Sequence, residues 1–570
     1  MLWRSFLGFC WTDECFYIST CDRFFRGATP LVDEWFRTQM SSVIMLPVYA
    51  PYVWITGSSE GVVLYFRLLY LLFSAGVATV FFRILKKEYP DAVALIPALF
   101  IMCYAHLNNA TFSYYMMSEL FLALSLILIY DYKASRSRAY LVISGASLAL
   151  SVQSMPLFVV GFVAVMLALF FVMAVARYAK LPDTIRQKIT ELELPVIIKY
   201  TGIGIACVLA VFIAYMASRA GLSGLKEALP YALVDNEHTN TWGYYIRKPH
   251  RCLTDVFGVY VTYAAYALVG ISFVFQRYLK RQYFRQITIA ADVLLFIIMA
   301  YRSFGHTGYI QVVFFIFMLP VFFTSDRKNN RLFWLFVIPA GLVSVIYCFA
   351  SSDFLYVMAI GCAIGATPGV CALYDHARDG KITGRVLMAV CIFTLCVTFF
   401  LRLTNVYRDA PVGRLTRRIT EGVAKGLYTT DEHLEQYTDV CDMIKEYCTR
   451  DADYEKISGN PKGNIMFSVI LPWGYMASYP DCAFPTTWRT TAYDDEQLEK
   501  YYAVNPSSLP DVIIVLDEQY GSYDAAGDTE DDHTPNRGEL SGYWKDHIAR
   551  FGLAEENIKC GKIYRRKEVR

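Results

Sequence analysis

An acidic pair, Asp13-Glu14, stands where a short apolar start (Leu2, Trp3, Phe6, Leu7, Phe9, Trp11) gives way to a polar, aromatic stretch. A carboxylate at the outer end of an apolar segment can take a proton from a hydroxyl, and partial burial tunes how readily it does so. The pair also reads as a membrane-boundary marker or a helix cap. Basic residues suited to an anionic group follow: Arg247-Lys248-Pro249-His250-Arg251 in one polar stretch, Arg302 and His306 in another, and Arg67 inside an apolar run. Arg grips a phosphate bidentately and Lys acts as a point charge. Plainer readings stand beside these: lipid headgroups for the run at 247–251 and a snorkelling side chain for Arg67. Glu237-His238 offers oxygen and nitrogen ligands that would suit a divalent ion together with the first polar loop, or it lies in a solvated loop.

Membrane helices must position these groups. Of 570 residues, 55% are hydrophobic and only 18% charged, and the mean hydropathy is +0.34, which marks a polytopic α-helical membrane protein rather than a soluble domain. A formal net charge of +2 without a concentrated basic face argues against nucleic acid as a partner. Apolar segments long enough to span, or nearly so, fall at 62–82, 92–110, 115–131, 139–154, 156–176, 196–217, 256–276, 287–301, 308–324, 332–350, 354–374 and 384–403. The apolar start reads as the stump of one more span, giving about 12–13 in all. Basic loops, among them Arg83-Lys86-Lys87, Lys133-Arg136-Arg138 and Arg277-Lys280-Arg281, alternate with basic-poor ones and place the former in the cytoplasm. Residues 12–61, 218–255, 302–307 and everything after Leu403 then face outward.

From residue 405 the composition turns to an ordinary charged, soluble character, which predicts a separate C-terminal exoplasmic α/β domain over 405–570 beside a membrane part over 1–404. Leu415, Ile419 and Val423, then Leu434, Tyr437, Val440, Met443 and Ile444, have helical spacing. Ile465–Leu471 and Val512–Leu516 are apolar runs that read as buried strands. Asp517-Glu518 directly after the second run is a weak ligand position; Trp473 and Tyr475 read as core packing or as stacking faces for a sugar. Fifteen cysteines form no CxxC pair, and Cys10, Cys15, Cys21, Cys441, Cys448, Cys482 and Cys560 leave an exoplasmic disulfide open without assigning one.

The first polar loop reads Thr12-Asp13-Glu14-Cys15-Phe16-Tyr17, then Arg23-Phe24-Phe25-Arg26-Gly27, Pro30, Asp33 and Leu46-Pro47-Val48-Tyr49. It resembles the first outer loop of GT-C glycosyltransferases, the integral-membrane family that includes protein O-mannosyltransferases and bacterial aminoarabinose transferases. The resemblance implies two helices lying along the membrane after the acidic pair and a polyprenyl-phosphate sugar as donor. It further implies an exoplasmic glycan, lipid or protein as acceptor, direct inverting displacement, and a bacterial cell-membrane setting among membrane lipids. It gives Asp13 the role of base and Glu14 that of a supporting residue or contact to a divalent metal ion. The phosphate would fall to Arg302, Arg247, Lys248 and Arg67, with Glu237, His238 and His306 as polar support. A transporter or lipid-linked sugar flippase is the alternative; such proteins gather buried charges near the bilayer midplane, whereas this chain gathers polar groups at one outer face.

Overall fold

The computed structural model describes residues 1–179, 182–232, 242–274, 330–350, 354–378, 382–448, 463–468, 470–488, 493–521 and 540–566, with single residues at 294, 298 and 301. Spans expected at 287–301 and 308–324 therefore fall almost wholly outside the described residues. Two helices, α1 (Asp13–Phe25) and α2 (Met40–Thr56), precede a run of apolar ones: α3 (Val62–Leu85), α4 (Asp91–Cys103), α5 (Tyr114–Ser135), α6 (Arg138–Ser154), α7 (Phe158–Tyr178), the short α8 (Asp183–Thr190) and α9 (Leu194–Ala232). Next come α10 (Trp242–Phe257), α11 (Val259–Val274), α12 (Asn330–Ala350), α13 (Phe354–Arg378) and α14 (Ile382–Thr404). Four of the described helices, covering Val62–Leu85, Tyr114–Ser135, Phe158–Tyr178 and Leu194–Arg219, are long and apolar enough to cross a membrane. The span expected at 256–276 is represented by α11, and Gly258 at its start, with φ of +80°, separates it from α10.

Close backbone approach rather than a large apolar interface joins some of these helices. A Cβ on Gly145 of α6 would strike the Thr201 backbone, and one on Gly204 of α9 would strike the Val142 backbone, so the two helices meet through reciprocal small residues.

After α14 come β1 (Arg417–Arg418), β2 (Tyr428–Thr429), α15 (Asp431–Tyr447), β3 (Asn464–Phe467), α16 (Pro472–Ala477) and β4 (Asp481–Cys482). The chain continues with α17 (Asp495–Val504), β5 (Val512–Leu516), α18 (Glu518–Gly521), α19 (Gly542–Phe551), β6 (Leu553–Ile558) and β7 (Gly561–Arg566). Five strands form one sheet in the order β4-β3-β5-β7-β6; β3 runs parallel to β4 and β5, and β7 is antiparallel to β5 and β6. The apolar run Val512–Leu516 is its middle strand, as its composition predicts. Strand β3 stops at Phe467, and Leu471 already leads into α16.

Two sequence expectations change. The apolar start is no helix: Trp3–Phe6 make one 3-10 turn, and Gly8 at φ +75° turns the chain into an extended piece whose Leu7 bridges Tyr428. The helical spacing at 415–423 also fails, because Gly422 and Gly426 take φ of +70° and +93° and fold this stretch into a loop and the β1–β2 pair. The second half of that pattern does form α15, capped by the Thr430 hydroxyl on the His433 N–H.

Helices α1 and α2 share a core with the sheet region. Phe9, Trp11, Cys15, Ile18 and Cys21 pack in one cluster with Tyr437, Trp473, Phe467 and Ile514. The Trp11 and Trp473 rings meet edge to face at 5.6 Å, and Phe9 meets Tyr437 in the same way. Trp473 and Tyr475 are thus core residues, and the Tyr475 hydroxyl accepts the Phe467 N–H at 3.2 Å. A second core lies among α3, α4, α5, α12 and α13. The seven cysteines named above are free thiols and buried.

Candidate functional site at the membrane–tail junction

The acidic pair opens α1, where two carboxylates in the first turn complement the helix dipole. Their surroundings differ completely. Glu14 is fully buried and gripped by Arg67, with Nε to Oε1 at 2.5 Å and Nη2 to Oε2 at 2.6 Å. The remaining Arg67 donors go to backbone carbonyls: Nη1 to Ser5 and Leu7 at 3.0 and 3.1 Å, Nη2 to Gly8 at 2.9 Å. With its donors spent on the chain itself, Arg67 has no N–H left for a phosphate; it ties the first residue stretch to α3.

Asp13 is one quarter exposed. The Arg408 guanidinium meets its Oδ2 at 2.9 Å, the Tyr407 hydroxyl donates to the same oxygen at 3.0 Å and the Thr12 hydroxyl at 3.3 Å. Oδ1 takes no hydrogen bond among the described residues, so one oxygen of this carboxylate stays available. Arg408 also donates to Thr12 Oγ1 at 2.6 Å.

Arg408 belongs to a junction, residues 402–410, that leaves α14 and closes over residues 4–13. Arg4 donates to the carbonyls of Leu7 at 2.6 Å and Asn405 at 2.9 Å. Asp409 accepts the Phe9 N–H at 2.7 Å, the Thr429 hydroxyl at 3.1 Å and His433 Nδ1 at 2.8 Å. Gly8 packs so tightly on Val406 that a Cβ there would overlap its side chain. Arg402, in the last turn of α14, donates through Nη1 to Asn108 Oδ1, while its buried Nε has no partner.

Arg4, Arg67 and Arg402 are each only 5% exposed, and Glu14 is the one carboxylate that any of them contacts among the described residues. Burial, with Arg67 and Arg402 close by, pushes the Arg4 guanidinium down to about 9. The site is therefore over-supplied with buried positive charge. Backbone strain gathers there too: Leu107, Asn108 and Arg408 all sit at left-handed φ, +51°, +59° and +49°. The thiols beside the pair are poor nucleophiles. Burial and then Asp13 push Cys10 up to about 11, and burial and then Glu14 push Cys15 well above the ordinary thiol value.

The structure brings Asp13, Glu14 and Arg67 together. Arg247 and Lys248 lie on α10, which packs on α12 and α13; Arg247 is exposed, and Lys248 is buried with its ammonium 5.6 Å from the Tyr244 ring centre. Arg302, His306, Glu237 and His238 lie outside the described residues. Arg4, Arg402, Arg408 and Tyr407 escaped the sequence reading, although an ionisable residue inside an apolar run, as Arg4 and Arg402 are, is the signal that finds them. Among the described residues no three His, Cys, Asp or Glu side chains gather to hold a metal ion. No known protein family matches this chain, and no curated protein is detectably similar to it.

Proposed function

We propose that this chain is a membrane glycosyltransferase that moves a sugar from a polyprenyl-phosphate donor to an exoplasmic acceptor, with its C-terminal region on the outer side. The observation that carries the reading is Asp13, a carboxylate with one open oxygen, in a junction that also holds three buried arginines of which Arg67 alone pairs with a carboxylate among the described residues. Group transfer from a phosphate needs both parts: a base for the acceptor hydroxyl and fixed positive charge for the leaving phosphate. In this reading the acceptor oxygen attacks the anomeric carbon as the bond to the phosphate oxygen breaks. The hydroxyl proton passes to Asp13 Oδ1. Arg402, through its unpartnered Nε, and Arg4 stabilise the phosphate charge, while Glu14 and Arg67 hold the frame. Partly buried cations in low dielectric act far more strongly than the same charges in water.

The test is sugar transfer from radiolabelled polyprenyl-phosphate sugars in membranes holding wild type or Asp13→Asn at matched expression. Loss of transfer by about 100-fold or more in the variant is expected for a missing general base. Undiminished transfer in Asp13→Asn would remove this residue from the reaction, and no transfer by wild type from any donor would remove the reading.

A further inference from the structure

Glu119 stands apart from the junction. It lies in the second turn of α5, is fully sealed, and neither of its carboxyl oxygens has a hydrogen-bond partner among the described residues. The titratable groups around it are tyrosines and a thiol, with His106 buried against Tyr115 one turn before it, their ring centres 4.1 Å apart. Tyr70 on α3, Tyr104 just after α4 and Tyr347 on α12 lie within electrostatic reach, with Cys362 of α13 behind Tyr104. Cys103 and Arg402 are also within electrostatic reach of Tyr70, and Arg402 donates to Asn108. The Tyr70 hydroxyl is committed to the Tyr104 carbonyl at 3.2 Å, and the Tyr347 hydroxyl pairs with Ser118 Oγ at 2.6 Å. From α6 the nearest polar contact is Ser151, which donates to the Ser118 carbonyl at 2.7 Å.

Among the described residues an ionised carboxylate in such a place would have no hydrogen-bond donor and no ion-pair partner to replace its hydration. A neutral acid pays far less, and a sealed pair of oxygens leaves room for no ligand larger than a proton. We propose that Glu119 is a proton-binding site inside the helix bundle, occupied in the closed packing of α3, α4, α5 and α12. Proton affinity and packing are then linked: any arrangement that lets water reach Glu119 favours its ionised form, so each unit of pH rise above the open-state value shifts the balance toward opening by up to tenfold. This holds whether or not Asp13 is a catalytic base.

The test uses the full chain in lipid nanodiscs. Infrared absorption should show the carbonyl band of a protonated carboxyl at neutral pH that is missing in Glu119→Gln, and amide exchange along α5, divided by the intrinsic base-catalysed rate, should quicken with pH in wild type and stay flat in the variant. Glu119→Asp, which keeps the acid, should keep a carboxyl band at a shifted frequency, and that shift assigns the band to this residue if the Gln variant does not fold; an unshifted band overturns the assignment. Absence of the band in wild type, or exchange in α5 that responds to pH equally in wild type and Glu119→Gln, overturns the proposal.

Discussion

The buried charges of the two regions are partnered to different degrees, and although Asp131 on α5 pairs with Lys87 at 2.6 Å, others among the membrane helices do not. Where α1 and α2 meet the sheet, each has close partners: Glu14 with Arg67, Arg23 with Glu34 at 2.9 Å, and Asp22 with Arg26 and the Tyr49 hydroxyl, both at 2.6 Å. Arg23 reaches further, to the Cys482 carbonyl and the Tyr501 hydroxyl, and Arg26 to the carbonyls of Ser478 and Met476. Among the membrane helices Glu119 has no partner, and Arg402 keeps an unpartnered Nε. Paired buried charges specify how segments far apart in sequence fit together; unpaired ones cost stability without that return, so they are the groups to suspect of function.

The comparison breaks most sharply at Arg67. Arg67→Met strands Glu14 and three carbonyls, and we expect a loss of about 3–5 kcal/mol, read as a lower melting temperature in detergent. Removing the stranded charge as well, in Glu14→Gln/Arg67→Met, should recover about 1–3 kcal/mol of it. Full stability in Arg67→Met would mean that the pair organises nothing. Next in size is Gly8→Ala, which puts a Cβ into Val406 at a left-handed φ. We expect about 1–3 kcal/mol from overpacking and backbone strain, eased in the Gly8→Ala/Val406→Ala double variant.

The same contrast explains what the sequence made legible. Val512–Leu516 was readable as a buried strand because an unbroken apolar run is what a strand covered on both faces requires. The acidic pair was legible as the start of a helix, since two carboxylates at the end of an apolar segment suit a first turn, and they do open α1. Its division into a sealed Glu14 and an open Asp13 was not, since the residues responsible, Arg67, Tyr407 and Arg408, lie 53 to about 395 positions away, and pairing over such separations leaves no local pattern. Leu415, Ile419 and Val423 misled because an apolar period of four says helix, while the backbone there is governed by two glycines at positive φ. The packing of α1 against Cys482, Tyr479 and Thr487 was equally hidden, as it depends on the tail folding back over the first loop.

The smallest prediction sharpens what pairing achieves at Asp22. Burial raises its carboxyl above the ordinary value of 3.8, with Arg26 and the Tyr49 hydrogen bond pulling the other way and not prevailing. A raised value in the folded state means that the fold holds a proton the unfolded chain has already released, so this residue's stabilising contribution is complete below 3.8 and fades as pH rises through the raised value. Asp22→Asn cannot titrate but keeps a carbonyl for Tyr49. The stability gap between wild type and Asn should therefore narrow as pH rises from about 4, by at most about 1.4 kcal/mol per pH unit. Melting temperatures of both proteins across that range decide it. A gap that widens would mean that Arg26 outweighs desolvation and that the ion pair stabilises the interface outright; a gap that narrows would mean that even the well-partnered charges of this core are held at a cost, and that they serve to fix which surfaces meet.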